Sequence, residues 1–223
     1  MGRYHEVGTY LNHREHEHLL EQDVRTMYYW SFTRRKGIKR LLVGGLHRDE
    51  SSITEPILRA LEGCEPESGS VVLADLGGTS RLSTLDERFY TAREGKELTA
   101  LIDEVHPQLY VELHTYMPSS YGRLTSASRM DIEGVPPLIE LEAGILHAST
   151  SPVLRAMFAA EDLCLLLEVP EGSEEVALDL LKSAISCSSK GEYVELIKSK
   201  YPEQVAAGMR LFESFYGERF EYP

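Results

Sequence analysis

Four residues of this chain have the types and settings that metal-assisted chemistry needs: His47, Glu50, His114 and Glu168. His47 and Glu50 lie in LLVGGLHRDE, His114 ends YVELH, and Glu168 ends LCLLLE. Two imidazoles and one carboxylate, with a fourth position open to water, form a common catalytic zinc set. A second carboxylate beside such a set can act as general base and then as general acid. Burial would raise its pKa and a metal would lower it again. The HxxE spacing carries little alone, because it occurs twice, at His18–Glu21 and at His47–Glu50. His18 stands with His5, His13 and His16 among charges, with no apolar strand leading in. His47 follows an apolar run and precedes a helical one. Each residue also has an ordinary alternative: His47 a loop histidine, His114 a core histidine, Glu168 a salt-bridged strand end.

The elements that must position these groups are legible from periodicity. Arg40–Leu46 reads as a buried strand and Ser51–Leu61 as an amphipathic helix. Gly44 and Gly45 between them allow close approach of backbone or substrate. Ser70–Leu76, Gln108–Thr115, Pro137–Glu142 and Leu163–Val169 read as further strands. Ala92–Val105, Ser151–Ala160 and Glu174–Ser186 read as helices, and Glu192–Tyr216 as one helix bent near Pro202. Tyr116–Asp131 reads as a long loop. Alternating strands and helices predict an α/β fold of three layers, a mixed, mostly parallel sheet flanked by helices. Residues 38–223 would form this domain, with 1–37 as a cap or hairpin. If the strands are parallel, His47, His114 and Glu168 emerge on one edge, where ligands of open α/β sheets collect.

Bulk properties narrow the partners. A formal net charge of -13 disfavours nucleic-acid phosphates and anionic lipid. The basic cluster Arg34, Arg35, Lys36, Lys39 and Arg40 reads as a solvated turn. Cys64, Cys164 and Cys187 have no metal or redox spacing, and Cys164 reads as a small buried hydrophobe. No apolar stretch reaches the ~20 residues needed to span a bilayer. A cytoplasmic protein is the expectation.

Other residues could serve the same edge. Arg81, Arg123 and Arg129 fall in loops beyond strand ends, where they could meet an anionic substrate or stay solvated. Tyr116 and Tyr121 follow His114 and could donate to an oxyanion or simply pack. Glu112, two residues before His114, shares its face of the strand. It reads either as support for a ligand or as half of a buried ion pair with an arginine. His147 reads as following a strand, where it could line the pocket or pack.

Taken together, GGLHRDE, VELHTY and LLLEVPEG resemble the HGxE turn, the DLH-type strand end and the later strand-end glutamate of the zinc carboxypeptidase superfamily. The likeness is to its succinylglutamate desuccinylase and aspartoacylase branch and to short archaeal relatives. It runs from about Ile38 to Gly172. The resemblance implies zinc on His47, Glu50 and His114, with Glu168 assisting water. It also implies hydrolysis of an amide bond in a small anionic N-acyl amino acid or peptide. A metal-binding protein of the same fold without catalysis is the alternative. The chain departs from the branch at two points. The Asn-Arg pair that grips a substrate carboxylate has its nearest equivalent in Glu87–Arg88, which leaves Arg88 for that role. Arg48 stands where the branch usually has glycine.

Overall fold

The computed structural model describes residues 27–34 and 36–217. Seven strands form one sheet: β1 Tyr28–Thr33, β2 Lys39–Gly44, β3 Ser70–Asp75, β4 Leu109–His114, β5 Ile139–Glu140, β6 Leu146–Ser149 and β7 Leu163–Glu168. Their order across the sheet is β1-β3-β2-β4-β7-β6-β5. The central strands β3, β2, β4 and β7 are parallel. The edge strands β1, β6 and β5 run antiparallel to their neighbours. β1 pairs with β3 along its whole length, so Tyr28–Thr33 belongs to the sheet rather than to a separate cap. The histidines of the N-terminal cluster lie outside the described residues.

Strand alternation sorts the core into two sides. Leu42, Val111, Leu113, Leu165 and Leu167 pack with Ile57 and Leu58 of α1 (Ser51–Ala60). The same side takes Leu180 and Leu181 of α6 (Glu174–Ser186). Leu41, Val43, Tyr110 and Cys164 face the other way, against Leu98 and Ile102 of α2 (Arg93–Val105). The sheet is therefore the middle of three layers. Glu112, His114 and Glu168 share the face of Tyr110 and Cys164, because each is an even number of residues along its strand.

Several sequence expectations change. Arg40 is not in a solvated turn but fully buried. It donates to the carbonyls of Ala184 at 3.0 Å, Ile38 at 3.1 Å and Ser68 at 3.2 Å, and to that of Cys187. A guanidinium has five donors, enough to close several open carbonyls at the base of the sheet.

The expected long C-terminal helix is two helices, α7 Lys190–Lys200 and α8 Pro202–Tyr216. Proline pushes the residue before it out of the helical region, and Tyr201 sits at φ -132, ψ 60. Ser151–Ala160 shortens to α5 Pro152–Arg155, started by Ser151 accepting from the Leu154 N–H. Within Tyr116–Asp131 two five-residue helices begin, α3 Tyr121–Thr125 and α4 Arg129–Glu133. His147 lies within β6 rather than after a strand. No helix among the described residues is long and apolar enough to cross a membrane.

Candidate metal centre

The turn after β2 is built to be tight. Gly45 has φ +63, and a Cβ there would stand 2.0 Å from Oδ1 of Asp75. Its N–H donates to Thr54 Oγ1 at 3.0 Å, and its carbonyl accepts from Gly78 N at 2.7 Å. Asp75, at the end of β3, ties the turn to α1 and accepts from Ser51 Oγ and Thr54 Oγ1, each at 2.5 Å. The Gly77 N–H adds a third bond at 3.0 Å. This anchorage delivers His47 and Glu50 to the carboxyl end of the sheet.

Glu50 is 5% exposed and holds the turn from inside, its Oε2 accepting from His47 N at 2.9 Å. Its Oε1 lies 3.1 Å from Nδ1 of His114, which is 4% exposed. The His47 and His114 rings stack with centroids 5.0 Å apart. One donor atom from each of His47, Glu50 and His114 lies within 4.8 Å of the others. Two donors sharing one zinc at ~2.0–2.1 Å stand roughly 3.3 Å apart in a tetrahedral site, close to the spacing of the Glu50–His114 pair. Nδ1 of His47 is buried without a hydrogen-bond partner among the described residues. Such an orphaned nitrogen is costly unless something else occupies its lone pair. The donor set and its vacant valence fit a divalent cation that accepts nitrogen and oxygen ligands.

Electrostatics agree with that fit. Burial pushes His47 below its ordinary pKa, and the facing His114 pushes it the same way, so the ring stays neutral. Burial pushes Glu50 up, but the two imidazoles outweigh it and hold the carboxyl below the usual range. Burial pushes His114 down, yet the charges of Glu50 and Glu112 raise it well above ordinary.

Glu168 ends β7 beside His114, the two being register partners. Burial pushes its carboxyl up to about 7, the charge of His114 opposing and that of Glu50 adding. Its Oε2 is buried and makes no hydrogen bond among the described residues. His47, Glu50, His114 and Glu168 line one cavity of about 430 Å³.

Arg81, Arg123 and Arg129 reach the wall of this cavity; Arg88 and Tyr121 do not. Arg88 folds back on Asp86, Nη2 to Oδ2 at 2.6 Å, in solvent. Asp86 caps the short turn of helix over Glu87–Thr91, and that local bond draws the arginine away from the centre. The Tyr121 hydroxyl donates to Glu140 at 2.5 Å. Arg48 lies in solvent against Asp49, outside the cavity wall. Arg123 pairs with Glu133. Arg129 bonds Glu133 at 2.9 Å and the Pro136 carbonyl at 2.6 Å, and its charge acts on Glu168. Arg81 is exposed and forms no hydrogen bond or ion pair among the described residues. His147 also reaches the wall.

Residues 35–217 match the model of a family described as an uncharacterized protein conserved in archaea (DUF2119). An uncharacterized protein of Methanocaldococcus jannaschii is 38% identical over 179 residues, which is 76% of this chain and 87% of that protein. Among solved structures, an aspartoacylase family protein from Mesorhizobium loti overlaps 78% of this chain and 56% of its own, at 12% identity and a TM-score of 0.40. A metallo-carboxypeptidase from Pseudomonas aeruginosa overlaps 66% of this chain and 52% of its own, at 12% identity and a TM-score of 0.35. The chain spans about half the length of those two solved chains, and overlaps this partial say nothing of activity.

Proposed function

The chain belongs to the DUF2119 family of proteins conserved in archaea, and we propose that it is a zinc-dependent hydrolase of amide bonds in small carboxylate-bearing substrates. The observation that carries this reading is a clustered His-Glu-His donor set, with Nδ1 of His47 unsatisfied, sharing one cavity with the carboxyl of Glu168, which also has an unsatisfied oxygen. A structural ion cage would not need that fourth group. His47, Glu50 and His114 would hold the zinc, which supplies Lewis acidity toward a water and a scissile carbonyl. Glu168 takes a proton from the water as its oxygen bonds to the carbonyl carbon. It then gives that proton to the nitrogen as the carbon–nitrogen bond breaks. Burial holds this carboxyl up at about 7, and a bound cation would lower it, leaving it ionised to accept the proton.

Arg129 and Arg81 on the cavity wall supply positive charge for a substrate carboxylate. They take the place expected for Arg88. The test is turnover of N-acyl amino acids and dipeptides by zinc-loaded protein, read as release of free amine. Turnover that stops on chelation supports the proposal, with Arg81→Met raising KM about tenfold at little cost in kcat. Zinc-loaded protein that leaves the whole panel intact contradicts it.

A further inference from the structure

We infer that Glu112 is a positioning residue for His114, accepting the proton on ring Nε2 so that Nδ1 is presented to the metal. This rests on the zinc reading above, but not on hydrolysis.

Glu112 is a buried acid without its usual company. Glu112 is fully buried in the middle of β4. An isolated buried carboxylate costs far more than any ordinary core residue. The simplest remedy is a lysine or arginine, yet none forms a salt bridge with Glu112 among the described residues; its ionic neighbour is His114. Two neutral donors hold the carboxylate in place. The Thr150 hydroxyl donates to Oε1 at 2.7 Å and the Tyr110 hydroxyl to Oε2 at 3.0 Å. Tyr110 and Thr150 are themselves buried, and the Tyr110 ring packs on Phe158 with centroids 5.0 Å apart. The acid is thus clamped from both sides. Each carboxylate oxygen has two acceptor sites, so Oε1 keeps one unused.

His114 shows the complementary gap. Its Nδ1 is turned to Glu50 at 3.1 Å. Its Nε2 is buried, has no hydrogen-bond partner, and stands 3.9 Å from Oε1 of Glu112. A spare acceptor and an unsatisfied ring nitrogen face each other across less than one ångström more than a hydrogen bond. Two residues apart on one strand, the pair share a face by geometry alone. Ligating imidazoles commonly give their second N–H to a carboxylate, which fixes the tautomer and makes the ring a better donor. Glu112 is placed for that service to His114.

The test measures zinc affinity by competition with a chromophoric chelator. It also follows the His114 ring by nitrogen-15 NMR of the zinc-loaded protein. In the wild type His114 is expected as the Nε2–H tautomer, with a ring proton shifted far downfield by its carboxylate acceptor. Glu112→Gln should weaken zinc binding about 10- to 100-fold and move that proton upfield. Thr150→Val keeps the acid and loosens only its clamp, so it should weaken zinc about threefold while the protein stays folded. A general packing role would not move the His114 signal. Zinc affinity within twofold of wild type in Glu112→Gln, with the His114 proton unmoved, overturns the inference and leaves the zinc centre standing. A wild type that binds no zinc overturns both.

Discussion

Asp75 and Glu168 are both acids at the carboxyl ends of parallel strands in one sheet, and burial pushes both above their ordinary pKa. Their surroundings differ in kind. Both oxygens of Asp75 are hydrogen-bonded, with Ser51, Thr54 and Gly77 all donating to them. Glu168 has a buried oxygen that nothing among the described residues satisfies. The same division runs through the neighbouring groups. Glu94 is buried and accepts from Thr79 and Ser80, whereas His47 and His114 each keep an orphaned nitrogen. The β3 end is a finished structural joint and the β2–β4–β7 edge is not. Burial alone therefore does not mark a site. What marks it is buried polar capacity that the fold declines to use.

The contrast yields opposite expectations for the two acids. Glu168→Gln should leave zinc bound and lower kcat by roughly 100- to 10,000-fold, the usual worth of a general base. Metal analysis beside steady-state rates would decide this, and loss of zinc would make Glu168 a ligand instead. Asp75→Ala should do the reverse. It strands two hydroxyls and an amide, so denaturant unfolding should show a loss of roughly 3 kcal/mol. Stability unchanged by Asp75→Ala would erase the distinction drawn between the two strand ends.

A smaller effect follows from pH. The folded carboxyl of Glu168 titrates at about 7, above its ordinary value of 4.5, so its protonated form favours the folded chain. That contribution is complete below about 4.5 and is lost as pH rises through about 7. Metal-free wild-type protein should lose more thermal stability between pH 5 and 8 than metal-free Glu168→Gln, by about 3 kcal/mol or less. Identical pH dependence in the two proteins would mean that Glu168 is satisfied after all.

Much of this was legible in the sequence because it depends on strand ends. Apolar runs mark β2, β4 and β7, and parallel order brings their last residues to one edge whatever lies between. His47, Glu50, His114 and Glu168 could be grouped on that ground. Asp75 obeys the same rule, but an acid at a fourth strand end looks no different in sequence from a functional one. Its role depends on Ser51 and Thr54, which only the packing of α1 brings near.

Among the arginines, Arg88 and Arg40 were the least readable. Arg88 is the nearest equivalent of the Asn-Arg pair in the sequence, yet Asp86 two residues earlier captures it. Arg129 was expected beyond a strand end and does reach the cavity wall, but from α4, a helix too short to show periodicity in the sequence. Arg40 looked like surface in a basic run, and only the carbonyls of Ala184 and Cys187, far along the chain, explain its burial.

The central claim is that the unsatisfied edge holds a metal. Its most direct test is zinc content after loading and exhaustive dialysis, for wild type and for His114→Ala. The expected result is about one equivalent of zinc per chain in the wild type, and almost none in a folded His114→Ala protein. A wild type that retains no zinc, or a His114→Ala variant that retains all of it, would contradict the account.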